Sequence, residues 1–293
     1  MRGIKNLIRL ARPSHWVKNL FVVAPLLFAR KAGDLSAWGW TVAAFAAFSL
    51  ASSAVYALND VLDRREDALH PAKRNRPVAS GAVGAGAALV LSAVLTGAAM
   101  ALAALVGAAF AVTLAAYVVL MVAYNLGLKR VAILDVLIIA SGFVLRAYAG
   151  GVAIDVTVSQ WLLLCTLTLS LFLGFAKRES ERAALGAGAA ATRPVEWGIY
   201  TQRNLEHMMT VSAGLAVVTY MLYTVSERTI REVTHSPWLF VTILPVVYGV
   251  FRFYSRAITG EISGPVEMLR RDGAFVAALV VWVVMVAVVL FAA

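Results

Sequence analysis

A single cysteine, Cys165, occurs among 293 residues, and it lies inside an apolar run. No disulfide framework can form within the chain, and Cys165 reads as a small packing residue. Charge is scarce as well: Asp, Glu, Lys and Arg make up 14% of the chain, against about 25% in a soluble domain. Histidine is limited to His15, His70, His207 and His235, scattered without metal-ligand spacing. There is no glycine-rich phosphate loop and no Ser or Thr in a nucleophile arrangement. No basic soluble module is available to bind nucleic acid. These absences exclude a disulfide-framed secreted domain, a histidine metal centre, a P-loop nucleotide enzyme and a nucleic-acid-binding module.

Apolar residues are abundant instead. They form 61% of the chain and come in long runs rather than in alternation. Runs of about 18 or more residues with few charges read as membrane spans. Nine are expected, at 15–31, 37–58, 83–106, 108–126, 131–152, 157–176, 207–225, 236–255 and 273–292. The fold class is therefore all-α: a polytopic helical bundle read as one domain over 1–293, embedded in the bilayer. Residues 1–14 read as an interfacial arm, because Arg2, Lys5, Arg9 and Arg12 recur at helical spacing ahead of Pro13. Pro25 interrupts the first span and Gly107 marks a short hinge between the third and fourth. Ala/Gly-rich stretches such as 82–109 suit close helix packing in lipid.

Basic residues set the orientation. Twenty of the 26 Lys and Arg fall in the N-terminal arm with Lys18 and in the loops after the even-numbered spans; four fall in the loops after the odd-numbered ones. Positive charge favours the cytoplasmic side. The expected location is the inner, plasma membrane, with the N-terminus and the working site cytoplasmic and the C-terminus outside. Most of the net charge of +10 is this topological signal.

The informative segment is NDVLDRREDALHPAKRNRPVASG, residues 59–81. Asn59, Asp63 and Asp67 stand at i, i+4 and i+8, with Asp60 three before Asp63, which puts them on one helix face. Carboxylates so crowded repel unless a cation holds them together. Hard oxygen donors at this density suit Mg²⁺, which takes one or two carboxylates plus substrate phosphates. The alternative is a solvated helix end paired with Arg64 and Arg65. Lys73, Arg74 and Arg76 follow at once as donors for phosphate, and Pro71 and Pro77 bound a fixed turn. Arg146 lies inside a span, where insertion costs about 2.5–3.5 kcal/mol. It reads as an anion ligand or as the partner of a buried carboxylate such as Asp135. Asp135, one turn into the fifth span, is either catalytic or paired with a cation. Lys129 and Arg130 end the fourth span, as topology signals or phosphate ligands.

The pattern N-D-x-x-D-x-x-x-D followed by N-R-P resembles the first signature of the UbiA-type membrane prenyltransferase superfamily. Asn59, Asp60, Asp63, Asp67, Asn75, Arg76 and Pro77 match it position by position. Tyr124 and Lys129 are close to a Y-x-x-x-K element, with four residues between them instead of three. The nine-span count fits too. Where quinone- and haem-type members carry a second aspartate-rich motif, this chain reads Lys177-Arg178-Glu179-Ser180-Glu181-Arg182. Two leading cations and no aspartate suit a phosphate bound directly. That pattern resembles the branch of decaprenyl-phosphate phosphoribosyltransferases that serve arabinan and cell-wall precursor synthesis. RPSHWVKN at 12–19, LDVLIIASGFVLRAYAGGVA at 134–153, YGVFRFY at 248–254 and P-x-E-x-L-x-x-D at 265–272 carry the same likeness.

The resemblance implies a donor, phosphoribosyl pyrophosphate, and a lipid acceptor, a polyprenyl phosphate. It implies Mg²⁺ held by Asn59, Asp60, Asp63 and Asp67, the three aspartates being catalytic. Substrate would be held by Asn59 itself, Lys18, Lys73, Arg74, Arg76, Tyr124, Lys129 and Arg146, with Lys177, Arg178 and Glu181 beyond the sixth span. A homo-oligomer is compatible with it. The competing readings are a prenyltransferase acting on an aromatic acceptor and a transporter of an anionic metabolite.

A topology test follows from the basic bias. A reporter fused after Ala293 is expected outside the cytoplasm, and reporters in the 59–82 and 177–206 loops inside. Cytoplasmic labelling of both the C-terminus and the 226–236 loop would contradict the orientation.

Overall fold

In a computed structural model, described for residues 2–69, 73–185, 198–262 and 264–291, every regular element is helical. Helix α1 is Arg2–Ala11, followed by a 3₁₀ segment Pro13–Val22 and the short α2, Ala24–Phe28. Then come α3 (Leu35–Leu62), α4 (Arg64–Leu69), α5 (Ala85–Val106), α6 (Ala108–Leu126), α7 (Leu134–Ala153) and α8 (Gln160–Leu185). The last described elements are α9 (Gln202–Val225), α10 (Ile243–Ile258), α11 (Pro265–Arg271) and α12 (Gly273–Phe291). His70 and Pro71 lie outside the described residues, so the turn expected from the two prolines is described only from Lys73 to Gly81.

Among the described residues, eight helical segments are long and apolar enough to cross a membrane. They correspond to the second through ninth expected spans. The stretch expected as the first span, 15–31, is two shorter segments meeting at Val23. The cause is local: Pro13 and Pro25 each remove a backbone donor, and Arg12 adopts a left-handed φ of 50° before Pro13. Gly107 separates α5 from α6 with φ 148°, a conformation that a side chain would strain.

The chain divides into two compact units. The first comprises 1–129 and 142–158, and the second 130–141 and 159–293, so α7 begins in one and ends in the other. In the first unit, small residues let the long α3 approach its neighbours. Ala44, Ala47, Ala51 and Ala57 are fully buried, and the Ser92 hydroxyl on α5 donates to the Ala54 carbonyl at 2.9 Å. Such contacts replace the hydrophobic drive that lipid cannot supply. Asp34 starts α3 by accepting from the amides of Ser36 and Ala37. The second unit is built instead on bulky groups: Phe172 and Phe175 of α8, Leu205 and Met209 of α9, and Phe253 of α10.

Gly150 is the tightest crossing of the first unit. A Cβ there would stand 2.0 Å from the Val22 carbonyl oxygen. Gly150→Ala is expected to destabilise the protein by about 1–3 kcal/mol, the usual cost of overpacking. A melting temperature in detergent equal to that of the parent would show that the 3₁₀ segment yields freely.

Candidate active site

The acidic motif sits where α3 stops. The helix ends at Leu62, and Asp63 is its cap rather than a mid-helix residue. The register nevertheless survives the break: the Asp63 amide donates to the Asn59 carbonyl at 2.9 Å and the Asp67 amide to the Asp63 carbonyl at 2.8 Å. The expected i, i+4, i+8 alignment is thus carried across two helices. Asp60 and Asp67 are only 1% and 2% exposed, which removes the alternative of a solvated helix end. Arg64 and Arg65 are exposed. The cations that neutralise the acids come from far along the chain.

Arg12 donates to Oδ1 of Asp60, and Arg76 lies 3.5 Å from that oxygen and 2.6 Å from Oδ2 of Asp67. Lys129, itself buried, donates to Oδ1 of Asp63, while the Asn59 amide holds Oδ2 at 3.1 Å. Three carboxylates and three cations therefore interleave. Lys129, expected as a topology signal or a phosphate ligand, is bonded instead to Asp63 of the acidic motif. Arg12, read from sequence as part of an interfacial arm, stacks over Tyr56 at 5.0 Å. The signal that could have found it is its place at the head of RPSHWVKN.

One atom in this set has no partner. Oδ2 of Asp60 is buried without a hydrogen bond, a costly arrangement that a cation would relieve. The donor set is hard oxygen, which fits Mg²⁺. Yet among the described residues no three His, Cys, Asp or Glu side chains form a group able to hold a metal. The residues fit an ion that the protein would hold only in part, substrate oxygens completing its shell.

Arg146 is buried in the same unit, and Asp135 is not its partner. Its guanidinium donates to Asn19 Oδ1 (2.8 Å), the Gly142 carbonyl (2.9 Å) and the Tyr117 hydroxyl (2.8 Å). Tyr117 and Phe143 flank it, with ring centroids 4.6 and 5.2 Å away. All of these groups are neutral, so the charge is solvated by dipoles and ring faces. Lys18, half-buried, lies within electrostatic reach of Arg146 and Arg12. Asn19, which sequence reasoning passed over, also donates to Ser49 and Ser52 and so ties Arg146 to α3. Of the other expected ligands, Arg74 is exposed, and Lys73 and Tyr124 are half-buried.

The second unit carries its own ion set. Asp135 is fully buried and pairs with Arg178 Nε at 2.7 Å. The Tyr200 hydroxyl donates to the other Asp135 oxygen and accepts from the Ile133 amide at 2.6 Å. Burial, and then the hydrogen bond to Asp135, push the Tyr200 phenol above its ordinary value, so it stays a donor. Arg178 also reaches Glu181 at 2.6 Å. Lys177 is 54% exposed and lies 3.7 Å from the same glutamate. Consecutive residues on a helix point about 100° apart, so the two leading cations of KRESER face different ways.

The fold and the buried ions define a polytopic membrane protein with a mixed acid–cation site at the end of α3. Residues 19–259 match the UbiA prenyltransferase family, and the chain belongs to that family. It is similar to the Decaprenyl-phosphate phosphoribosyltransferase of Mycolicibacterium smegmatis, 35% identical over 96% of this chain and 91% of the relative. It is 32% identical to the protein of the same name from Mycobacterium tuberculosis, over 96% of this chain and 92% of the other. A UbiA homologue from Archaeoglobus fulgidus, solved bound to DMAPP and Mg²⁺, shares the fold with a TM-score of 0.72 at 14% identity. That match covers 96% of each chain.

Breaking the Asp135–Arg178 pair from one side leaves a buried charge. Asp135→Ala is expected to cost about 3–5 kcal/mol of stability, whereas Lys177→Ala should leave the melting temperature unchanged. Equal melting temperatures for the two variants would contradict the inward orientation of Arg178.

Proposed function

We propose that this protein transfers a 5-phosphoribosyl group from phosphoribosyl pyrophosphate to a polyprenyl phosphate, decaprenyl phosphate being the acceptor named for its relatives. An oxygen of the lipid phosphate bonds to C1 of the ribose. The bond from C1 to the pyrophosphate oxygen breaks, and its electron pair leaves with pyrophosphate. The attacking phosphate is already anionic, so no strong general base is required. The observation that carries this reading is the interleaved set of Asp60, Asp63 and Asp67 with Arg12, Arg76 and Lys129. Such a set matches a diphosphate arriving with a cation: the acids can turn to the cation, and the arginines and lysine to phosphate oxygens.

Mg²⁺, held by Asn59, Asp60, Asp63 and Asp67, would supply neutralisation of the charge that develops on the leaving pyrophosphate. Lys73, Arg74, Arg76 and Lys129 bind and orient the diphosphate. Lys18 and Arg146 add positive charge without a carboxylate bonded to Arg146, which suits a further phosphate, and Tyr124 lies on the helix that leads to Lys129. In the second unit Lys177, outward-facing, is the cation for the lipid phosphate. Arg178 and Glu181 act behind it, fixing the end of α8 through Asp135 and Tyr200. Holding the reactants in line in a water-poor site supplies most of the rate. The reaction takes place at the plasma membrane with the donor drawn from the cytoplasm, as a step toward cell-wall arabinan precursors.

The test is mass spectrometry of lipids after incubation of purified protein with phosphoribosyl pyrophosphate, a polyprenyl phosphate and Mg²⁺. A phosphoribosylated lipid is expected, and chelation should abolish it. Asp63→Asn and Asp67→Asn should each lower turnover at least about a hundredfold, the scale of several kcal/mol of Lewis-acid stabilisation. Transfer of a prenyl chain from its diphosphate to an aromatic acceptor, with no phosphoribosylated lipid formed, would overturn the assignment.

A further inference from the structure

The YGVFRFY segment lies on α10, outside the ion sets used above. One face of this helix is buried through Val250, Phe253 and Ala257. The other presents an exposed stripe one turn apart: Leu244, Tyr248, Phe251 and Ser255. Leu244 and Phe251 are 76% and 61% exposed, as befits side chains that meet lipid. At the C-terminal end of the stripe stand Arg252 and Arg256, four residues apart on one side of the helix.

These arginines are held in place from behind. Asp272, 3% exposed, takes Arg252 Nε at 2.7 Å on one oxygen and Arg256 Nε at 3.2 Å on the other. Asp272 also starts α12, accepting from the Phe275 amide at 2.9 Å. The hydrogen bond from Arg252, and then that amide, hold the Asp272 carboxyl at about 2, so it stays ionised at any working pH. One buried carboxylate cannot neutralise two guanidiniums. The remaining charge is met by Glu261, an exposed residue that accepts from Arg256. In front of both arginines is an open groove of about 630 Å³ whose other walls include Leu244, Val247 and Phe251.

We propose that this groove binds an anionic phospholipid of the surrounding bilayer, with the headgroup phosphate on Arg252 and Arg256 and the chain along Leu244, Val247 and Phe251. Cations set at the end of an apolar strip are how membrane proteins recognise anionic headgroups. Asp272 organises the site by fixing both guanidiniums through Nε, and Glu261 guards it by occupying Arg256 when no lipid is there. A salt-bridge cluster that only ties α10 to α12 would not need the open groove in front of both arginines.

The role of Glu261 makes the test sharp, since the glutamate is exposed and its loss should not unfold the protein. Binding is read by native mass spectrometry of the full-length protein in detergent, titrated with phosphatidylglycerol or with phosphatidylcholine. Phosphatidylglycerol should bind about tenfold more tightly, the effect of one charge-assisted hydrogen bond. Glu261→Gln should tighten phosphatidylglycerol binding further. Arg252→Gln with Arg256→Gln should bring it down to the level of phosphatidylcholine, while Arg252→Lys with Arg256→Lys should retain part of the preference. Three results would overturn the proposal: no preference between the two lipids, a Glu261→Gln variant that binds no more tightly than the parent, or displacement of the lipid by millimolar inorganic phosphate.

Discussion

Charge must be compensated where water cannot reach it, and this requirement organises both halves of the protein. Taking a carboxylate or guanidinium out of water costs several kcal/mol even after relaxation. Among the described residues the chain nevertheless buries Asp60, Asp67, Lys129, Asp135, Arg146, Arg178, Glu179 and Asp272. Seven of the eight are bonded to an opposite charge, and Arg146 is bonded to dipoles and flanked by aromatic faces. Three of these pairings also bind distant segments together: Arg12 to Asp60 across 48 residues, Lys129 to Asp63 across 66, Arg178 to Asp135 across 43. Ion pairing therefore supplies long-range specificity in a bundle whose small-residue packing would be tolerant of slippage.

The two units use the same device for different ends. In the second, Asp135 has every bond it needs, from Arg178 and Tyr200, and the arrangement is closed. In the first, Asp60 keeps one oxygen without a partner and Arg76 is shared between two acids. Incomplete compensation leaves a site that gains from a ligand carrying both signs of charge, such as a diphosphate with its metal. A closed pair serves structure; an open set serves binding.

The membrane spans were readable from sequence because long apolar runs have few other uses. The second to ninth runs reappear as span-length helices. The first was harder, since Pro13 and Pro25 leave its hydropathy intact and alter its geometry. The acidic motif was readable from the spacing of Asn59, Asp63 and Asp67. Its partners were not, because charge pairing across tens of residues leaves no local pattern: Arg12 looked like part of an interfacial helix and Arg64 and Arg65 like nearer counter-ions. Asp135 read as catalytic or as the partner of a cation such as Arg146, and only the fold shows that Arg178 is the cation it takes. The adjacency of Lys177 and Arg178 suggested one phosphate clamp, whereas helix geometry turns one outward and one inward.

In the function proposed above, the acid–cation set at the end of α3 would be completed by a diphosphate and a divalent cation together, neither being held well alone. Isothermal titration of the intact protein with pyrophosphate, with and without Mg²⁺, measures this. Tight binding of pyrophosphate is predicted only when Mg²⁺ is present, with Mg²⁺ alone giving weak heat. Equal affinity for pyrophosphate in the absence of any divalent cation would contradict it.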